Sequence, residues 1–253
     1  MGRKMNMIGR WGKQIYFTFE GVVDDVLTMH LGMTGFIQFR TSGSRLVYES
    51  SSSAEKQAKE TVWPPKFAKL LLAFADGEEM IFADARRLGR FAVIPMASGS
   101  EGEEPQVEQA VRMHFGLGFD PLLALPTADE FSALLANRSR NLKQLLLDQS
   151  FVAGIGNWMA DDILLEAGLH PLTKAGSLTV AERGRLLQSI WHISHVATVE
   201  ANADKREFPK EWLFHVRWAR TPPKTSLTGV VLKMERIGGR STFYAPSLQK
   251  RKL

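Results

Sequence analysis

Lys13, in Arg10-Trp11-Gly12-Lys13, is an amine at the entry of an apolar, strand-like run. Burial there would depress its pKa and suit it to imine or proton-transfer chemistry; a lysine pointing to solvent is the plainer reading. His30-Leu31-Gly32-Met33-Thr34-Gly35 sets a methionine between glycines. Such a residue can be a wedge that enters a base stack, or simply core filler. Asp84-Ala85-Arg86-Arg87-Leu88-Gly89-Arg90 carries three arginines in five residues, suited to phosphate or base contacts or to a solvated turn. Ala153-Gly154-Ile155-Gly156-Asn157 opens a helix with two glycines and an asparagine. Unpaired amides and the positive end of the helix dipole make an anion site there; an ordinary corner with Asn157 as N-cap is the alternative. Ile237-Gly238-Gly239-Arg240 places an arginine at a glycine turn, where it could fork onto a phosphate or just close a hairpin.

These segments need elements to hold them. Residues 14–39 alternate and are rich in β-formers, which predicts antiparallel strands broken at Gly21. Residues 41–60 are polar and read as a loop. KLLLAFADGEEMIFAD predicts two strands around Asp76-Gly77, and RFAVIPM a further one. Residues 97–105 form an acidic link. Thr127 and Glu130, then Thr179 and Glu182, have capping-box spacing and predict helix starts. Phe131, Leu134 and Leu135 then share a face, and a long helix runs from about Val180 to Ala203. Two shorter helices flank the Gly154 turn. From Trp212 onward the chain is basic, with two short β-rich runs. No internal repeat is visible.

Composition narrows the function classes. The chain has 253 residues, 44% hydrophobic, a net charge of +5 and a pI of about 9.5, a balance that favours a polyanionic partner. Cysteine is absent, which excludes disulfides, Cys-ligated zinc and thiol catalysis. The six histidines lack metal-ligand spacing, so neither a metal nor another cofactor is expected. There is no apolar run of about 18 residues and no signal-type h-region, so a soluble intracellular protein without a membrane partner is expected.

In order and spacing, GRWGKQIYFTF, LTMHLGMTG, FADARRLG, LGFDPL, the helix–turn–helix segment from Asn141 to Pro171 and GGRSTFYAPSLQ resemble the formamidopyrimidine-DNA glycosylase / endonuclease VIII family. The helix-two-turn-helix segment and GGRSTFY are its specific motifs; the others support them. The resemblance implies an α+β fold: an incomplete N-terminal antiparallel β-sandwich (1–118), a helix-two-turn-helix domain (119–210) and a zinc-less β-hairpin finger (211–253). Pro222-Pro223 and Gly229 stand where zinc ligands would otherwise fall, so packing of Trp218, Phe243 and Tyr244 must stabilise the finger. The implied partner is double-stranded DNA carrying oxidised bases, such as 8-oxoguanine or formamidopyrimidine, or abasic sites.

Residue roles follow from the same resemblance. Lys13 corresponds to the strand lysine that contacts the lesion nucleotide and donates a proton in β-elimination. Met33 and Arg86 fill the gap left by a flipped base, and Leu88 takes the third wedge position, often Phe, without aromatic stacking. His30 is grouped with Met33 as a DNA contact. Asn157 and Lys143 are implied phosphate contacts. Arg240 is implied to grip the lesion phosphate and assist δ-elimination.

Family members begin with Pro-Glu, whose proline amine attacks C1′ as a Schiff-base nucleophile. This chain begins MGRKMNMIGRWGK and has no proline before Pro64, so on the order of 40–60 residues would be missing. Three readings stay open: a truncated form of an active glycosylase/AP lyase, a paralogue that binds lesions without excising them, or an enzyme using another amine, Gly2 or Lys13. A non-catalytic nucleic-acid-binding module is the rival from another class. A monomer is expected, and the basic end Lys250-Arg251-Lys252 points to the nucleus.

Overall fold

The computed structural model describes residues 2–42, 45–47, 62–96, 103–201, 207–219, 221 and 224–251. Contacts divide the chain into two compact units, Met1–Phe115 and Gly116–Leu253. Most of the polar stretch 41–60, residues 97–102 and Pro222-Pro223 lie outside the described residues.

The first unit holds two four-stranded antiparallel sheets. One runs β1-β2-β3-β8 and the other β5-β4-β7-β6. In order these are β1 Met5–Trp11, β2 Gln14–Phe19, β3 Val22–His30, β4 Phe36–Phe39, β5 Arg45–Val47, β6 Ala68–Ala73, β7 Glu79–Ala83 and β8 Arg90–Pro95. Alternation explains the shared core. Phe17 and Met29 from the first sheet meet Ile37, Met80 and Phe82 from the second. β1 was not among the predicted strands, because MNMIGRW lacks clean alternation; its pairing with β2 along Met5–Trp11 supplies the order.

The acidic segment yields a second correction. From Glu104 it is helix, not link: α1 spans Glu104–Phe115, with Glu104 in the first turn, where the dipole favours an acid. Val107 and Val111 are buried on its inner face, and the Arg112 guanidinium lies 4.4 Å over the Trp11 ring.

In the second unit α2 (Ala128–Leu135) and α5 (Val180–His195) both start at complete capping boxes, Thr127/Glu130 and Thr179/Glu182. After α5 the helical path continues as a π-turn, Val196–Glu200. Phe131 and Leu135 point inward, but Leu134 stays 38% exposed, since the buried stripe of α2 is only one residue wide per turn. α3 (Leu142–Leu147) and α4 (Asn157–Glu166) bracket the Gly154 turn and share the core of Leu142, Leu145, Phe151, Ile163 and Ile190.

The closing hairpin pairs β9 (Lys233–Ile237) with β10 (Arg240–Tyr244) through Gly238-Gly239, both at positive φ. It lies in the same unit as α2 to α5. Phe243 packs with Leu213, Leu232 and Ala245, and Tyr244 sits edge-on to His170. Trp218 departs from expectation: it is 54% exposed, meeting the Phe214 ring at a steep angle and the Arg217 guanidinium at 5.6 Å, whereas Phe243 and Tyr244 are buried.

Candidate nucleic-acid interface

In the first unit a buried carboxylate builds the surface. Asp84, at the end of β7, accepts hydrogen bonds from the Thr34 hydroxyl (2.6 Å) and the Arg86 amide (3.1 Å) on Oδ1. Its Oδ2 accepts from the amides of Leu88 (2.6 Å) and Gly89 (2.7 Å). One side chain thus fixes two loops, 31–35 and 84–89. Burial alone would raise this carboxyl's pKa; the four hydrogen bonds outweigh it and hold the group below its ordinary value. Gly32 (φ +66°) lets the loops touch, because a Cβ there would lie 2.7 Å from the Leu88 carbonyl carbon. From this frame Met33 (45% exposed) and Leu88 (41%) project outward, with Arg86 exposed beside Leu88. Two large apolar side chains held in water by a rigid frame are the reverse of core filler.

His30 ends β3 opposite Gln14 and Arg90. Its Nδ1 accepts the Gly32 amide at 3.0 Å, which leaves the ring proton on Nε2. Burial lowers its pKa first, then the charges of Lys13 and Arg90, so the ring is neutral at physiological pH. The part-buried Lys13 occupies the two-residue loop between β1 and β2 rather than a strand interior, since Trp11 already pairs with Gln14. Lys13 and Arg90 place two positive charges around the neutral His30 ring.

In the second unit, the turn between α3 and α4 is pinned by a residue the sequence did not flag. Gln149 accepts the Gly154 amide (3.0 Å) and donates to the carbonyls of Leu147 and Ile155. The N-cap of α4 is Gly156, not Asn157; Asn157 is the first helical residue, and no side chain caps this end. Its Nδ2 instead donates to the Ser241 carbonyl at 3.1 Å, which ties the turn to the residue after the exposed Arg240. This bond brings the Asn157 turn next to the strand that carries Arg240.

Lys143 is a correction. It is fully buried, and its ammonium donates to Asp161 (2.6 Å) and to the Asn157 carbonyl (2.7 Å). Burial pushes its pKa down against the pull of Asp161. With no exposed surface it braces the turn from beneath instead of meeting a phosphate. Among the described residues no three His, Asp or Glu side chains could hold a metal ion, and no helix is long and apolar enough to cross a membrane.

Known proteins share both halves of this architecture. The profile of the formamidopyrimidine-DNA glycosylase N-terminal domain matches residues 1–91, and that of its helix-two-turn-helix domain matches residues 117–208. Structures of Lactococcus lactis Fpg, one with abasic-site DNA and one with Fapy-dG DNA, superpose with a TM-score of 0.71 over 99% of this chain and 83% of theirs, at 22% and 23% identity. The fold is thus that of an Fpg-type protein: a β-domain, a helix-two-turn-helix domain and a C-terminal β-hairpin.

A formamidopyrimidine-DNA glycosylase of Arabidopsis thaliana is 34% identical over 99% of the chain, and one of Desulfitobacterium hafniense 30% over 98%. The chain belongs to the formamidopyrimidine-DNA glycosylase family. It spans 82% of the bacterial relative but 59% of the Arabidopsis one.

Proposed function

We propose that this chain recognises damaged sites in duplex DNA, an abasic site or an oxidised base such as 8-oxoguanine or formamidopyrimidine, in a base-excision-repair glycosylase/AP lyase. The observation that carries the reading is the pair of loops locked on Asp84. Met33 and Leu88, held outward by that frame, are placed to insert where a nucleotide has left the stack, and Arg86 on the same loop as Leu88 can meet a phosphate or base edge. The Fpg structures similar to this chain contain abasic-site and Fapy-dG DNA, which supports the same class of partner. Arg240 and Asn157 supply phosphate grip, and Lys13 is the amine assigned to the lesion nucleotide. The protein acts as a monomer, and its basic C-terminal residues favour the nucleus.

Borohydride trapping on an abasic duplex tests the chemistry. A covalent adduct lost in Lys13→Ala assigns the Schiff base to Lys13. An adduct that survives the substitution assigns it to another amine. Retained abasic-site affinity with no adduct favours the alternative, a damaged-DNA-binding protein without excision. Binding should weaken steeply with salt, with a log–log slope of about −0.9 per phosphate neutralised. Equal affinity for abasic and undamaged duplex would overturn the reading.

A further inference from the structure

Asp161, four residues beyond Asn157 on α4, is fully buried and gathers three donors on one carboxylate. Lys143 binds Oδ1 at 2.6 Å. Arg217, its side chain 4% exposed, binds Oδ2 at 2.8 Å, and the Phe243 backbone amide binds the same oxygen at 3.1 Å. The donors come from three places: α3, the segment before the hairpin, and β10. Phe243 lies three residues beyond Arg240 on that strand. Lys143 reaches from this cluster to the Asn157 carbonyl, and the Asn157 amide closes the circuit on Ser241.

The hairpin needs such an anchor. A two-stranded ribbon is marginal alone, and with no cysteine in the chain a Cys-held metal cannot clamp it. Apolar packing through Phe243, Leu213 and Leu232 holds it to the unit but is non-directional. The Phe243–Asp161 and Ser241–Asn157 hydrogen bonds are directional. They set the strand's position along α4, and so where the exposed Arg240 stands relative to the uncapped helix start.

We propose that Asp161 is a positioning residue for phosphate capture: by holding Lys143, Arg217 and the Phe243 amide together, it keeps Arg240 in register with the Asn157 turn. The proposal rests on the reading of Arg240 and Asn157 as phosphate contacts. It assigns the buried charges a task that neither the packing nor the exposed basic residues perform.

The test is a thermodynamic cycle on the full chain. Affinity for an abasic-site duplex is measured across a salt series for wild type, Arg240→Ala, Asp161→Asn and the double variant. Losing one charged phosphate contact should weaken binding about tenfold and reduce the magnitude of the salt slope by about one in Arg240→Ala. Asp161→Asn should reproduce both changes, and the double variant should bind within about twofold of Arg240→Ala. If Asp161→Asn leaves Lys143 and Arg217 too poorly compensated to fold, Asp161→Asn/Lys143→Met removes one of the stranded charges and enters the cycle in its place. Effects that multiply, with Arg240→Ala weakened as expected, would overturn the proposal alone. Unchanged binding by Arg240→Ala would overturn the phosphate reading beneath it and leave Asp161 nothing to position.

Discussion

Asp84→Ala should dismantle the exposed surface of the first unit. It removes the acceptor for three backbone amides, those of Arg86, Leu88 and Gly89, and for the Thr34 hydroxyl. The hydroxyl can turn to water. The amides are held in place by the loop, and at about 1 kcal/mol each, the low end for part-buried donors, their loss costs about 3 kcal/mol. Asp84→Asn should cost less. Its amide can turn so that oxygen faces the Leu88 and Gly89 amides while nitrogen donates to Thr34, which strands only the Arg86 amide and removes the charge assistance, about 2 kcal/mol in all. Because the folded pKa of Asp84 is depressed, its contribution is present above the ordinary carboxylate range and is lost as pH falls through the folded value; both variants should therefore flatten the acid limb of the stability curve. Urea unfolding gives the stability, and hydrogen exchange at the Leu88 and Gly89 amides gives the local opening. Wild-type exchange rates at those two amides in Asp84→Ala, with stability changed by less than about 0.5 kcal/mol, would refute the reasoning.

Asp162 should give the second unit an inverted pH dependence. Burial pushes its carboxyl up to about 8, so the folded chain keeps a proton that the unfolded chain releases near pH 4. The Asp162 contribution should fall between about pH 4 and pH 8, by up to about 5 kcal/mol, and level off above; Asp162→Asn should lack that fall, and identical pH slopes for the two proteins would sink the idea. Gly32→Ala puts a methyl 2.7 Å from the Leu88 backbone at φ +66°. It should cost about 1–2 kcal/mol and lower abasic-duplex affinity, measured by anisotropy; unchanged affinity would separate the two loops. Phe131→Ala empties a fully buried site against Phe119 and Phe151 and should destabilise the helical unit by about 3–5 kcal/mol in denaturant titration, without changing the loops on Asp84.

Much of the architecture could be read along the chain because its causes are local. Alternation placed β2, β3, β4, β6 and β7, and Asp76-Gly77 marked the turn between the last two. Capping boxes at Thr127 and Thr179 marked two helix starts to the residue. Motif order pointed to the family before any geometry was known. β1 and α1 were not legible, since MNMIGRW and EPQVEQAVRMHF take their order from the sheet they join, and pairing is not written in a strand that lacks its own period.

The sequence by itself determined which residue types are available: basic groups at Lys13, Arg86 and Arg240, apolar side chains at Met33 and Leu88, and no thiol. Tertiary structure decided which of them meet water. Lys143 and Arg240 are both basic residues on motifs that mark the family, yet one is sealed against Asp161 and the other is exposed. Asp84 and Gln149 read as ordinary polar residues until the loops close around them. The reason is that a charge's role depends on its solvation and on the donors that reach it, and both are set by segments distant along the chain.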